Sequence, residues 1–518
     1  MQRRHFIGAL PIGLAATAIP AAMADPPPTP ISRGSVFAID FGVLADGTSD
    51  DSAAMTRAID YCIINELELI LPSGNIVLNS GLTIEPINGR DAIKISGIDA
   101  GTQGSRLCIK ANAPALTIKC QCTLENFGII GDAVSLDEDG QAGTRAQQDG
   151  VLLYGIRPDE NGKNLGIGNI YLRNIVFEGC NNSIHIYGIV FYSYFENIRW
   201  FTCLNAHVNG AGPSTDLPGY AVQFWQCQMT AARGKYGFYL ENAGSVVLSD
   251  CMISPAKLTE NCFRLVSNAT HSGIHQISNT VFEGSVKEAL FIDGGGTNGQ
   301  PKPCRFMYFS NCYFNQSGET ADAITLYNAE HLYFSNCYIS GTKAGITFRQ
   351  RAKRISLINC EFQLGGDPPE HAIRTLPGAA VHGLDIVAPN YDGNQRFLEL
   401  GHAAVGEISR IHVSGGTLGV NPVPVNCQPQ DANKVMIHNT NNTQTRNGGV
   451  AVFGGGGQST YAIPHGLLGT PAKFGVVPNS AAAGDAEIRL VQVDGSYVHV
   501  QCKNPGNGDI RWAWHAET

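Results

Sequence analysis

"FSNCYF", Phe309–Phe314, returns 25 residues later as "FSNCYI", Phe334–Ile339. Its plan is apolar, variable, Asn-like, small or apolar, variable, bulky apolar. Towards the N-terminus the plan recurs as "ISNTVF" from Ile277, "LSDCMI" from Leu248, "FWQCQM" from Phe224, "FENIRW" from Phe195 and "LRNIVF" from Leu172. "LINCEF" from Leu357 follows it, and "LENFGI" from Leu124 is an earlier copy. The third positions, Asn174, Asn197, Gln226, Asp250, Asn279, Asn311, Asn336 and Asn359, are spaced 23, 29, 24, 29, 32, 25 and 23 residues apart. Asn126 precedes Asn174 by 48 residues, or two repeats. A period this short, built from strand-like runs broken by Gly, Asn and Ser, suits one coil of a parallel β-solenoid, with coils stacked about 4.8 Å apart. Asn suits a left-handed turn residue, and its amide can bond the Asn of the next coil. The reading is a buried asparagine ladder.

The fourth positions form a second column: Ile175, Ile198, Cys227, Cys251, Thr280, Cys312, Cys337 and Cys360. Cysteine exchanging with Ile and Thr behaves as a small buried hydrophobe, so these thiols are expected to be free. The chain has 518 residues, too many for one ordinary globular core, with 60 Gly and only 15% charged residues. A net charge of −9 without a long basic run excludes nucleic acid as an expected partner. Residues 1–24 read as a cleavable export signal, in which Arg3-Arg4-His5-Phe6-Ile7 resembles a twin-arginine pattern. The expected location is periplasmic or secreted, with no membrane segment in the mature chain.

Near the mature N-terminus, "DFGVLADGTSDDSAAMTRAID" brings Asp46, Asp50 and Asp51 together ahead of a helix-like run. Ala54, Met55, Ala58, Ile59 and Cys62 share one helical face, and Asp50 or Asp51 stands where an N-cap belongs. The reading is a helix that plugs one end of the solenoid and hides its sheet edge. This stretch, with "LILPSGNIVLNSGLTI" from Leu69, resembles the opening of the pectate-lyase-like superfamily, also called rhamnogalacturonase/epimerase-like. The resemblance covers residues 34–430 and implies an all-β, right-handed parallel β-helix with an N-terminal capping helix. It implies a polysaccharide-active protein without fixing the reaction, since lyases, glycanases, epimerases and tailspike depolymerases share the architecture. Polygalacturonase signatures are missing: Gly401-His402 is followed by Ala403. No cofactor is called for, and no metal-ligand set is legible.

Residues 431–459 read as a linker, ending in "NTNNTQTRNGGVAVFGGGGQS". Residues 460–518 alternate apolar and polar between turns, the pattern of a small β-sandwich. They resemble the terminal domains of phage tailspikes and fibres, which makes a homotrimer compatible with the sequence.

A further strand follows the Asn motif in each repeat: "SIHIYG", "NAHVNG", "GFYLENAG", "CFRLVSN", "ALFIDGG", "AITLYNA" and "GITFRQR". Alternation sends Ile184/Ile186, Phe238/Leu240, Phe263/Leu265, Leu290/Ile292 and Ile324/Leu326 inward. One outward column then reads His185, His207, Tyr239, Arg264, Phe291, Thr325, Thr347. The other reads Tyr187, Asn209, Glu241, Val266, Asp293, Tyr327, Arg349.

Glu241 and Asp293, two coils apart, suit the acid–base separation of an inverting glycosidase, about 6.5–9.5 Å. Arg264 projects between them to position a hydroxyl or carboxylate, while Tyr187, Tyr239, Phe291 and Tyr327 offer flat faces for sugar rings. Arg349 joins Arg351, Lys353 and Arg354 in a basic patch. A lyase would use His207 or Tyr239 as base and Arg264 to neutralise a uronate. The readings are therefore an inverting endo-hydrolase, a β-eliminating lyase, or a non-catalytic glycan-binding β-helix, with the Glu/Asp column tipping the balance towards hydrolysis. The insert Gly131–Gly150, carrying Asp132, Asp137, Glu138, Asp139, Arg145 and Asp149, is a rival location for the site.

Overall fold

Each coil contributes strands to two stacks, and every pairing between successive coils is parallel. The computed structural model describes residues 34–133, 145–156, 165–210 and 220–517, the last with gaps of at most seven residues. Residues 1–24, expected from sequence to be an export signal, and Asp137, Glu138 and Asp139 lie outside the described residues. Among the described residues, one 13-stranded sheet runs from Leu82–Ile84 to Val425–Asn426, and the other faces merge into a 27-stranded sheet. The winding is right-handed, the hand that parallel crossovers take, and completes about 12 turns.

The Asn column sits at the corner between two strands of a coil. Asn126, Asn174, Asn197, Gln226, Asp250, Asn279, Asn311, Asn336 and Asn359 all adopt left-handed φ, between 49° and 64°. Their side chains join coil to coil: Asn174 Nδ2 donates to Asn126 Oδ1 at 2.8 Å, Asn197 to Asn174 at 2.7 Å, and Asn359 to Asn336 at 2.8 Å. The ladder is less buried than the sequence suggested, because Asn279, Asn311, Asn336 and Asn359 are exposed on its edge.

Inside, like residues stack on like. Phe309 and Phe334 lie 4.7 Å apart and nearly parallel, and Phe195 stands 4.7 Å from Phe224. Each fully buried Phe contributes about 1.5–3 kcal/mol. All fifteen cysteines are free. Those of the ladder donate weakly to carbonyls of the preceding coil, as Cys337 Sγ does to Phe309 O at 3.7 Å. The hydrogen bond that the Cys337 thiol gives to Cys312, with burial behind it, pushes that thiol up to about 12.

The N-terminal helix, Ser52–Asn65, buries Ala54, Met55, Ala58, Ile59, Cys62 and Ile63. It ends where Glu66 turns left-handed at φ 55°. The acids ahead of it divide the work differently from a simple cap. Asp50 accepts from the Ser52 backbone N–H at 3.0 Å. The Asp51 carboxylate, almost fully buried, accepts from Leu44 N and Ala45 N at 2.8 and 3.1 Å and so ties down the entering chain. Asp46 closes its own turn onto Thr48 and Ser49.

Val435–His438 stacks on Ile408–Ser414 as one more strand of the solenoid. Arg446–Phe453, read above as linker, is a strand paired antiparallel with Ile510–Glu517. It belongs to one of two three-stranded C-terminal sheets, which share a core of Ile463, Ala483, Val498, Val500, Ile510 and Trp512. Gly448 and Gly449, part of what suggested a linker, lie within this strand, where the partner strand sets Trp514 opposite Gly449 and Trp512 opposite Ala451.

Candidate functional site

The outer face of the 13-stranded sheet carries the columns read from alternation. Ile184, Ile186, Phe238, Leu240, Phe263, Leu265, Leu290, Ile292, Ile324 and Leu326 are all buried, which turns their neighbours outward. Tyr239 pairs with Arg264 and Arg264 with Phe291. Beside them Glu241 pairs with Val266, Val266 with Asp293, and Asp293 with Tyr327. Two strand spacings, about 9–10 Å of backbone, therefore separate Glu241 from Asp293.

Arg264 lies between aromatic faces, its Cζ 4.6 Å from the Phe291 ring centre and 5.8 Å from that of Tyr236. Its Nε is enclosed and makes no hydrogen bond among the described residues. Burial, followed by the charge of Glu241, pushes the Tyr239 hydroxyl above its ordinary range, while Arg264 pulls the other way. Asp293 is turned by a bond from Gly295 N at 2.8 Å. Aromatic pairs extend the face at both ends: Tyr187 stacks on Tyr154 at 5.6 Å, and Phe291 meets Tyr327 at 5.5 Å. Arg349 rests over Tyr327, with its Cζ 5.6 Å from the ring and Nη1 3.3 Å from the hydroxyl.

His207 is not on this face. It pairs with Ile184 on one side and Phe238 on the other, so it takes an inward position, one residue out of step with the column assigned from sequence. Val208 faces outward between His185 and Tyr239. The His207 ring is fully buried, 4.8 Å from the Phe224 ring in an edge-on contact, and neither nitrogen finds a well-formed hydrogen bond among the described residues. Burial, with a smaller push from His185, lowers its pKa to about 3. A group held neutral and away from solvent cannot take a proton from substrate, so His207 is removed as a catalytic base. Thr325 and Thr347 keep their outward register but lie buried beneath longer side chains.

Sequence reading missed a polar column at the start of these strands. Asn182, Asn205, Asn261, Glu288, Asp322 and His371 each stand two residues before an inward one. Asn205 Nδ2 donates to Asn182 Oδ1 at 2.7 Å, and Asn261 Nδ2 to Glu288 Oε2 at 3.1 Å. Glu288 also accepts from Thr325 Oγ1 at 3.1 Å and meets Arg349 Nη2 at 3.5 Å. On the next strand Asp322, 3% exposed, accepts from Arg374 Nη2 at 2.9 Å, while Arg374 Nε donates to Thr347 Oγ1 at 3.0 Å. Burial raises the Asp322 pKa despite the neighbouring guanidinium. The signal was a short motif, a polar residue, a small one and then the first inward residue, as in "NSI", "NAH", "NCF", "EAL", "DAI" and "HAI".

His371, Arg374, Thr375, Leu376, Pro377 and His402 line a cleft of about 170 Å³ at this end of the sheet. At the other end, Asp149 accepts from Asn182 N at 3.1 Å and lies 2.7 Å from His185 Nδ1. This part of the long insert is thus bound into the sheet edge. Asp132 and Arg145 form an ion pair of 2.8 Å in the same segment.

No family model matches the chain, and no curated protein sequence does. Among solved structures it is similar to the A-module of the Azotobacter vinelandii mannuronan C-5 epimerase AlgE6, at 13% identity and a TM-score of 0.50, over 72% of this chain and 98% of that one. The AlgE4 A-module of the same organism gives 12% identity and a TM-score of 0.46, over 71% and 99% of the two chains. The Dettilon tailspike protein gives 10% and 0.41, over 93% and 94%. The chain has the fold of the pectate-lyase-like right-handed parallel β-helices.

Proposed function

We propose that the protein is an exported polysaccharide-processing enzyme that binds its polymer along the outer face of the 13-stranded sheet. The finer reading is an endo-acting, inverting glycoside hydrolase with Glu241 and Asp293 as its acid–base pair. The observation that carries it is the register Glu241–Val266–Asp293. Two carboxylates face one side, with an apolar residue between them and Arg264 in the adjacent column. About 9–10 Å of backbone separation leaves room for a water opposite the scissile bond, as inversion requires. In this mechanism one carboxyl protonates the leaving oxygen while the other deprotonates the attacking water. Arg264, braced between Phe291 and Tyr236, holds a sugar substituent between them.

β-Elimination remains the second reading, and it is weaker than the sequence suggested. Of its two candidate bases His207 is buried, and the Tyr239 hydroxyl is pushed upward by burial and Glu241. The coarser reading also draws on the fold shared with the epimerase A-module, which acts on mannuronan. Purified mature protein is to be tested against a panel of bacterial and plant polysaccharides, following new reducing ends and ultraviolet absorbance together. Reducing ends without absorbance support hydrolysis; both rising together replace it with elimination.

A further inference from the structure

We propose that Arg354 and Arg410, with Lys353 beside them, form a binding site for a phosphomonoester group on the flank of the solenoid, round the corner from the 13-stranded face. The inference is independent of the acid–base assignment. It starts from the basic run Arg349, Arg351, Lys353, Arg354, which the corner at Gln350 divides. Arg349 stays over Tyr327 on the 13-stranded side. The strand Arg351–Ile358 belongs to the 27-stranded sheet, so Arg351, Lys353 and Arg354 lie on a different face. There, one residue per strand adopts left-handed φ, and successive coils bring these residues into one column: His331 at 57°, Arg354 at 56°, Gly383 at 76° and Arg410 at 57°. Glycine or asparagine meets such a φ most easily, and the corner ladder uses Asn for it. Arginine has no such conformational advantage, which points to a use for its side chain.

Gly383 leaves a notch between the two arginines, both of which are exposed. A Cβ at Gly383 would have Arg354 atoms as its three nearest neighbours, at 3.6, 3.7 and 3.9 Å, so Arg410 does not fill the space above it. Among the described residues no carboxylate stands in this column, and Lys434, just before the Val435 that pairs with Ile411, extends it. The acids of the neighbouring columns are engaged. Glu330 lies beside Lys353 but is bound by Arg305 at 3.1 Å and approached by Arg351 at 3.9 Å. Asp385 lies 3.6 Å from His412, and Glu407 3.3 Å from His382. Arg354 Nη1 meets His331 Nε2 at 3.1 Å, a contact in which a neutral imidazole accepts. Burial, then the charge of Arg354, lowers the His331 pKa accordingly. Cations are thus concentrated here in a chain whose net charge is −9. The ligand follows from the number and placing of the donors. Arginines stand on either side of the notch, and a lysine stands in the column beside it. A planar carboxylate is matched by a single guanidinium fork, whereas a phosphomonoester carries nearly twice the charge and takes donors from several directions.

The test is calorimetric titration of the purified protein with glucose 1-phosphate at low ionic strength. Saturable binding is expected, with none for methyl glucoside or acetate. Arg354→Gln and Arg410→Gln should each weaken it at least about tenfold, the worth of one hydrogen bond between charged groups. Arg489→Gln, at an exposed position in a C-terminal strand, should leave it unchanged. Gly383→Asn and Gly383→Asp both tolerate a left-handed φ and differ by one charge in the notch, so the Asp variant should bind at least about fivefold more weakly than the Asn variant. No saturable binding of the sugar phosphate, equal binding of acetate, or unchanged affinity in both arginine variants overturns the proposal. Vesicles of phosphatidic acid in phosphatidylcholine then identify the source of the group. Sedimentation with these vesicles, but not with phosphatidylcholine alone, assigns it to a lipid headgroup. Binding of the sugar phosphate without sedimentation assigns it to a soluble or polymer-borne phosphate.

Discussion

Glu241 and Asp293 stand in one column of a parallel sheet, with Val266 holding the place between them. The intervening strand contributes no charge at that position, so the two carboxylates are set two strand spacings apart, about 9–10 Å of backbone.

Glu241→Gln and Asp293→Asn are each expected to lower kcat/KM by about 10²–10⁴, the usual worth of a positioned acid or base. Both lie on the solvent face, so thermal unfolding should move by no more than about 0.5 kcal/mol. Full activity in either variant, measured by reducing-end release, would sink the hydrolase assignment.

Arg264→Lys should raise KM more than it lowers kcat, because an ammonium cannot fill the planar slot between Phe291 and Tyr236. Phe291→Leu removes one of those faces and should cost about 0.5–2 kcal/mol in binding, seen as up to a 30-fold rise in KM. Equal kinetics for Lys and Arg at position 264 would mean that only the charge matters.

His207→Leu should leave activity intact and flatten the acid limb of stability. The unfolded chain takes up a proton near the ordinary histidine value of 6.5, whereas the folded chain resists until about 3. Stability is therefore full above pH 6.5 and falls as pH drops towards 3, by about 1.4 kcal/mol per unit from this group. His275, buried and lowered to about 4, adds a similar slope over a shorter range and remains in the variant. Denaturant melts at pH 7 and pH 5 separate the two: a variant whose stability falls as steeply as the parent's would refute the account.

Asn197, at φ 50°, both occupies a left-handed turn and donates to Asn174 at 2.7 Å. Asn197→Ala loses both and should destabilise by about 2–3 kcal/mol, while Asn197→Gly keeps the conformation and should cost about 1–2 kcal/mol. Chemical denaturation that ranks alanine above glycine would show that the ladder bond and turn geometry are not what Asn supplies there.

The fold was legible because its two strongest signals are periodic. The Asn hexads fixed coil length, and the inward pairs Phe238/Leu240 and Leu290/Ile292 fixed which side of each strand faces the core. His207 failed for a specific reason. "CNNSIHI" and "CLNAHVNG" align on Cys180 and Cys203, which puts His207 over Ile184. Matching histidine to histidine instead shifted the strand by one residue, and a shift of one turns every side chain over. The strand Arg446–Phe453 was hidden by glycines whose pairing depends on a partner more than fifty residues away. Glu241, Asp293 and Arg264 were visible in sequence as a column, but Glu288, Asp322 and Arg374 were not. Their importance lies in contacts across two or more coils, which no local pattern displays.

Stacked coils make distance a discrete variable. Groups in one column are separated by whole multiples of about 4.8 Å, so moving a carboxylate by one coil halves or doubles its separation from a neighbour. Val266 is the vacant middle rung between Glu241 and Asp293. An acid there would stand one rung from each, near the 5–5.5 Å that covalent, retaining catalysis uses. On such a scaffold the stereochemical course of a reaction can change by repopulating a rung, with the backbone left as it is.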